Sequence, residues 1–241
     1  MKDDGMATCH STSDPRIRTW DNWGYDILHL IGEFVLWKSS SHRVFEVHIR
    51  HWLCREAWFV SCTCGVAVRE GNVVLAVDMC GGRQKSTPRP KVTQISRGGL
   101  KGASVTRDKA GSTFSINMPS GAYVKMDVHD WGMNVYAYAP SEDVGKTSGL
   151  CGTFDGNKDN DQMMRMEGTS MMQVTDDRMM FLESWRIPVG ESLFDKEPNW
   201  LPTGSADPQY CDCVGSRSIK CDWSQKVDVE NNIGKPGIPV N

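Results

Sequence analysis

Up to about residue 140 the chain alternates apolar and polar positions, the two-residue period of strands that turn one face inward. In residues 44–51, Val44, Glu46, His48 and Arg50 fall on one face, and Phe45, Val47, Ile49 and His51 on the other. The stretch CTCGVAVREGNVVLAVDM reads as a hairpin: Val66 and Val68 lead up, Glu70-Gly71-Asn72 turns, and Val73, Leu75 and Val77 return. Further hairpins are expected around RDKAGS and around PSG in FSINMPSGAYVKMDV. A last strand, MNVYAYAP, alternates Val135 and Ala137 with Tyr136 and Tyr138. Turn signals recurring at roughly ten-residue spacing predict an all-β fold, an antiparallel β-sandwich.

The pattern changes in VTDDRMMFLESWR, which predicts one short C-terminal helix. Thr175 is placed to cap its first turn, and Asp176 and Asp177 suit the positive end of the helix dipole. Met179, Met180, Phe181, Leu182 and Trp185 supply an apolar face. After Ile187 periodicity fades, prolines gather and the last three cysteines appear. The expected organisation is an overhang over 1–8, one β domain over 9–190, and a Pro- and Cys-containing irregular extension or linker over 191–241.

Composition adds limits. With 241 residues, 39% hydrophobic and 24% charged, the chain has ordinary globular composition and can bury a sizeable core. A net charge of −3 gives no footprint for nucleic acid or an anionic membrane. No apolar run is long enough to span a bilayer, so no membrane insertion is expected. The start, MKDDGMATCH, lacks the hydrophobic stretch of a signal peptide, which leaves a cytosolic protein or a segment of a longer precursor. Nine cysteines favour the second: Cys9, Cys54, Cys62, Cys64, Cys80, Cys151, Cys211, Cys213 and Cys221, none in a CxxC pair. Such density fits disulfides in an oxidising compartment, and hence a secreted or extracellular protein. Cys62-x-Cys64 and Cys211-x-Cys213 are spaced too closely for structural zinc, and neither has a matching second pair. The odd count leaves one thiol over.

Candidate chemistry concentrates in GLCGTFDGNKDND, residues 149–161. Calcium takes six to eight oxygen ligands, several of them anionic. Asp155, Asn157, Asp159, Asn160 and Asp161 can supply oxygens from this one loop. Asp155, Asn157 and Asp159 match positions one, three and five of an EF-hand, but Asn160 stands where Gly belongs and Met166 where Glu belongs. The loop is therefore not an EF-hand. The alternative is an exposed turn whose Asp and Asn side chains bond their own backbone. Magnesium, which keeps its waters, fits less well than calcium.

The context of that loop resembles a known family. GLCGTFDGNKDND is similar to the C-G-N-F-[DN]-G signature of the von Willebrand factor type D domain. In that family a cysteine precedes G-D-P-H, then a hydrophobic residue, T-F-D-G and an aromatic. Here Cys9, Asp14-Pro15, Thr19-Trp20-Asp21, Tyr25 and a Gly32-Glu33-Phe34 turn fall in the same order. A third landmark, F-x-x-S-W-[RK], appears as Phe181-Leu182-Glu183-Ser184-Trp185-Arg186. Within the family, CTCGVAVREG together with ESWRIPVGESLFD most resembles von Willebrand factor D and EGF domain proteins.

The resemblance implies a disulfide between Cys9 and Cys151. It also implies a calcium site combining Asp21 with Asp155, the Asn157 carbonyl, Asn160 and Asp161, with Thr153 and Asp159 as further candidates. Cys54 is expected to reach Cys62 or Cys64, with Cys80 taking the other, while Cys211, Cys213 and Cys221 staple the extension. The implied function is a non-catalytic structural and protein–protein interaction module of a larger extracellular or cell-surface protein. Its partners would be other extracellular proteins or neighbouring domains of the same chain, with homo-oligomerisation left open. An enzyme is the rival reading, but G-x-S-x-G, H-E-x-x-H and a P-loop are all missing from the sequence. A second rival is pH-driven association through His48 or His51 beside the many acids.

Three departures from the family pattern carry weight. Thr153 replaces the Asn two residues after the loop cysteine, Asn22 replaces the Gly of T-F-D-G, and Ser148 replaces the first cysteine of the C-G-L-C form. The self-cleaving G-D-P-H of some relatives is Ser13-Asp14-Pro15-Arg16 here, with both flanking residues changed. No autoproteolysis is expected, and intact-mass analysis after prolonged incubation at neutral pH should find a single uncleaved chain.

Overall fold

A computed structural model describes residues 6–27, 30–39, 43–54, 60–80, 90–95, 99–165, 172–188 and 190–194. Cys211, Cys213, Cys221 and the rest of the expected extension lie outside the described residues. The described residues form fifteen strands. The first eight are β1 (Ala7–Thr12), β2 (Arg16–Arg18), β3 (Gly24–Asp26), β4 (Gly32–Ser39), β5 (Phe45–Leu53), β6 (Ser61–Glu70), β7 (Val73–Asp78) and β8 (Lys91–Gln94). There follow β9 (Ser104–Arg107), β10 (Thr113–Asn117), β11 (Tyr123–Val128), β12 (Met133–Ala139), β13 (Thr147–Ser148), β14 (Met163–Arg165) and β15 (Met172–Val174), and then the helix α1 (Arg178–Ser184). Two antiparallel sheets dominate, in the orders β3-β2-β1-β12-β11-β10-β9 and β13-β4-β5-β6-β7-β8, while β14 and β15 form a small ribbon. The predicted all-β, disulfide-stapled sandwich is the observed architecture.

The alternation read along the chain sets what lies between the sheets. Phe45, Val47, Ile49 and His51 of β5 point into one continuous core with Phe114, Ile116, Val124, Met126, Val135 and Ala137 of the facing sheet. Removing each large apolar side chain from water contributes about 1.5–3 kcal/mol, which makes the sandwich interior the main stabilising term. The expected hairpins form with glycines at their bends: Gly71 (φ 56°), Gly111 (φ 76°) and Gly121 (φ 86°) each take the left-handed backbone those turns require. In the β9–β10 turn, Asp108 Oδ1 accepts from the N–H groups of Ser112 (2.8 Å) and Thr113 (3.0 Å).

The second face of β5 is not left to solvent. Glu46, His48 and Arg50 are also buried, covered in part by residues 190–194. Leu193 and Phe194 pack on Ala67 and Ala76 as a small second apolar cluster. Arg50 is 2% exposed yet fully engaged: Nε and Nη2 donate to Glu33 Oε1 (2.9 and 2.6 Å), and Nη1 donates to Asp78 Oδ2 (3.0 Å). Its guanidinium lies 4.0 Å from the centre of the Phe194 ring. Gly65 makes room for this stack, since a Cβ there would sit 3.0 Å from Phe194 Cε1.

Two local expectations are corrected. Gly32, Glu33 and Phe34 open β4 instead of forming a turn, because all three pair with β5, at His51, Arg50 and Ile49. The helix is capped by Asp177, not Thr175: the Asp177 carboxylate accepts from the N–H groups of Met179 (2.9 Å) and Met180 (3.1 Å). Thr175 sits two residues further out, where its hydroxyl accepts from the Asp177 N–H (3.0 Å). Phe181 and Leu182 are buried, while Met180 is 47% exposed and belongs to the outer side. Arg186, just past the helix, donates to Glu183 and to the Ile31 carbonyl (2.8 Å), which ties the helix end to the entry of β4.

Three disulfides close the described region: Cys9–Cys151, Cys54–Cys62 and Cys64–Cys80. Cys9–Cys151 joins residues separated by 142 positions. Chain-entropy reasoning puts the stabilisation from a loop that long at about 5 kcal/mol. The paired Cys9→Ala, Cys151→Ala variant is predicted to lose about 3–5 kcal/mol of unfolding free energy, read from a denaturant titration.

Candidate metal centre

The acidic loop leaves the sandwich at a root held from three sides. The N–H groups of Leu150 and Cys151 donate to the carbonyls of Val35 (3.0 Å) and Leu36 (2.9 Å) on β4. The Trp20 N–H donates to the Cys151 carbonyl (3.2 Å), and the buried Tyr25 hydroxyl donates to the Leu150 carbonyl. With the disulfide to β1 added, the loop is fixed against the segment that carries Thr19 and Asp21. That segment turns at Asn22, which takes φ 68°, a conformation Asn tolerates better than most residues.

Side chains from the two segments interlock. Asp21 Oδ1 accepts from the Gly156 N–H (3.0 Å) and Oδ2 from the Asp155 N–H (3.4 Å). Asp155 in turn accepts from the Asn157 N–H (2.9 Å) and from Asn160 Nδ2 (2.8 Å). Asn157 Oδ1 accepts from the Asp159 N–H (3.2 Å) and caps a single 3-10 turn over Lys158–Asn160. Asp161 is 0% exposed, with Oδ2 accepting from the Thr19 hydroxyl (2.6 Å) and Oδ1 from the Thr153 N–H (3.1 Å).

The electrostatics are unfavourable for the protein alone. Burial, reinforced by the charges of Asp21 and Asp155, pushes the Asp161 carboxyl up to about 7 despite its bonds from Thr19 and Thr153. Burial and the neighbouring Asp155 charge likewise raise Asp21. None of the cations in the described residues forms an ion pair with Asp161. Asn160 Oδ1 is buried with no hydrogen-bond partner among the described residues. The oxygens of Asp21, Asp155 and Asp161 do not all come within 4.8 Å of one another, so the three acids and the orphaned amide oxygen share one loop region, where like charge is unrelieved, without forming a closed cage.

Of the residues expected at a cation site, Asp21, Asp155, Asn157 and Asn160 are linked through one hydrogen-bond network, while Asp161 is held separately by Thr19 and Thr153 and meets Asp21 and Asp155 only through their charge. Thr153 contributes its N–H to Asp161, and Asp159 is exposed, with its N–H engaged by Asn157. Two functional positions escaped the sequence reading. Thr19 orients Asp161, and Gly152 (φ 73°) leaves the space Asp161 occupies, since a Cβ there would lie 2.0 Å from Asp161 Oδ1. Both belong to landmark runs, but only the fold reveals their contact with Asp161. A separate group, Asp14 with Cys54 and Cys62, has the spacing of a metal cluster. Its sulfurs are joined in a disulfide and offer no thiolate.

Among the described residues the histidines do not converge. His51 packs against Phe34 (ring centroids 5.3 Å), and burial, with the Arg186 charge adding, pushes it down to about 3. It stays neutral through the physiological range, which removes it from the pH-driven reading. His48 lies on the opposite face of the strand, buried beneath Leu193.

Comparison with known proteins agrees with this layout. The sequence profile of the von Willebrand factor type D domain matches residues 9–168, from the first tethered cysteine through the acidic loop. SCO-spondin of Gallus gallus is 30% identical over 190 residues, covering 77% of this chain. The chain spans only 3% of the length of that relative.

The close fit of Gly152 against Asp161 distinguishes two glycines of similar backbone. Gly156 also has positive φ (83°) but nothing within 4 Å of a built Cβ. Gly156→Ala should therefore cost only the left-handed backbone penalty, about 1–2 kcal/mol. Gly152→Ala should cost clearly more, because Asp161 must also move; parallel denaturant titrations of the two variants measure the difference.

Proposed function

Because the chain belongs to the von Willebrand factor type D domain family, we propose that it is a non-catalytic, calcium-stabilised module of a larger extracellular protein, a structural and interaction unit. Three disulfides within the described region support an oxidising, extracellular setting. The partners on this reading are neighbouring domains of the same chain or other extracellular proteins.

The observation that carries the calcium reading is the fully buried Asp161 carboxylate, opposed by Asp21 and Asp155 and lacking an ion-pair partner among the described residues. Asp21, Asp155, Asn160 and Asp161 would hold the ion, with carbonyl oxygens of the loop completing its shell. The ion supplies positive charge to a site built from acids. The residues do the rest: Thr19 orients Asp161, and Asp21 bridges the turn after β2 to the loop through two backbone N–H groups. Calcium then acts as a second tether beside Cys9–Cys151, between the same two parts of the chain.

Thermal unfolding with calcium and with chelator tests this. Saturating calcium at about a hundredfold its Kd should stabilise the native state by about 2.7 kcal/mol. Asp155→Ala should abolish that response. Asp161→Asn should melt higher than the parent in chelator at neutral pH, because it removes the opposed buried charge, yet gain nothing from calcium. Coincident parental melts with and without calcium would defeat the calcium reading.

A further inference from the structure

The outer face of the six-stranded sheet carries a cleft of about 380 Å³ between β4, β5 and β6 on one side and residues 187–188 and 190–193 on the other. That volume falls within the ~300–1,000 Å³ range of small-molecule sites. Lys38 on β4, Arg69 on β6 and Arg165 on β14 line it, together with Glu46 and His48 of β5. The cleft lies on a different sheet face from the core, and none of the residues assigned to the calcium site lines it.

His48 gives this cleft a chemical direction. The side chain is 2% exposed, and Nδ1 accepts from the Leu193 N–H at 3.3 Å. A neutral imidazole that accepts at Nδ1 must carry its proton at Nε2. Nε2 is buried and has no hydrogen-bond partner among the described residues. Glu46 Oε1 faces it at 3.5 Å in a long ion-pair contact, and the other Glu46 oxygen accepts from Arg69 Nη2 at 2.5 Å. Arg69 Nε is a second buried donor without a partner. Arg165 forms no ion pair with any described residue, whereas Lys38 approaches Glu46 at 3.5 Å. Two N–H donors without a hydrogen bond and three cations thus share the cleft with two acids, Glu46 at its inner wall and Glu191 on the covering segment.

We propose that this cleft binds a sulfate-type oxyanion, with His48 Nε2–H and Arg69 Nε–H donating to it and Lys38 and Arg165 supplying charge. The donors come from four strands in different directions, which suits the several oxygens of a tetrahedral anion better than the two of a planar carboxylate. Val35, Ile187 and Pro188 give the cleft an apolar side, and its volume exceeds that of one anion, so a sulfate carried on a sugar ring fits as well as the free ion.

Nitrogen-detected NMR of the histidine imidazoles in the whole chain is the test, with inorganic sulfate, a sulfated disaccharide and its desulfated counterpart as probes, and chloride at matched ionic strength as control. The expected result is a saturable shift of His48 Nε2 with sulfate or the sulfated disaccharide, and none with chloride or the desulfated sugar. Arg165→Gln should weaken binding roughly tenfold or more, the scale of one charge-assisted contact, while its melt without ligand matches the parent. Tighter binding of the disaccharide than of sulfate places the anion on a glycan; equal binding makes the free ion the ligand. A shift that fails to saturate, or one of undiminished affinity in Arg165→Gln, overturns the proposal. Stabilisation by sulfate alone would not count, because sulfate raises protein stability generally.

Discussion

The covalent tie from Cys9 to Cys151 is the constraint on which the functional end of this molecule depends. It joins the first long strand to the root of the acidic loop across 142 positions of sequence. Without it, the segment of Asp21 and the loop would be held by non-covalent contacts: the bonds of the loop root to β4, Trp20 and Tyr25, and those around Asp21, Asp155 and Asp161. Those side-chain bonds are made largely by carboxylates that repel one another. A cross-link that restricts the unfolded chain offsets a native-state site that is electrostatically costly by itself.

Two buried charges in the same domain are handled in opposite ways. Arg50 is enclosed by Glu33, Asp78 and the Phe194 ring, so its charge and its donors are matched inside the fold. Asp161 receives two neutral hydrogen bonds and faces two like charges. A buried ion left unpaired is expensive and ordinarily becomes neutral. Burial and its acidic neighbours accordingly push the Asp161 carboxyl up to about 7. The contrast marks Arg50 as part of the architecture, while the unmatched charge of Asp161 is what the proposed calcium reading rests on.

Covering the second face of the six-stranded sheet has a comparable logic. Residues 190–194 bury Arg50 and His48, and in doing so they turn a polar strand face into the wall of a cleft. The Leu193 N–H fixes which histidine nitrogen is free to donate. A segment that looks irregular in sequence therefore sets the chemistry of residues some 145 positions earlier in the chain.

The sequence by itself determined the class of fold, the hairpins, the oxidising setting and the identity of the acidic loop. These rest on local signals: two-residue alternation in β5 and β12, glycines at turns, cysteine density, and closely spaced Asp and Asn. The Cys9–Cys151 partnership and the meeting of Asp21 with the acidic loop were legible through family resemblance, because both depend on residues more than a hundred positions apart. Tertiary structure alone decided what Thr19, Gly152 and His48 do. Thr19 and Gly152 matter through a single contact each with Asp161, and His48 through a backbone donor from the far end of the domain. It also moved the helix cap from Thr175 to Asp177 and turned Gly32-Glu33-Phe34 into strand, since cap geometry and sheet register depend on which neighbour is present. Periodicity reports which side of an element faces inward; it carries no information about which distant atom waits there.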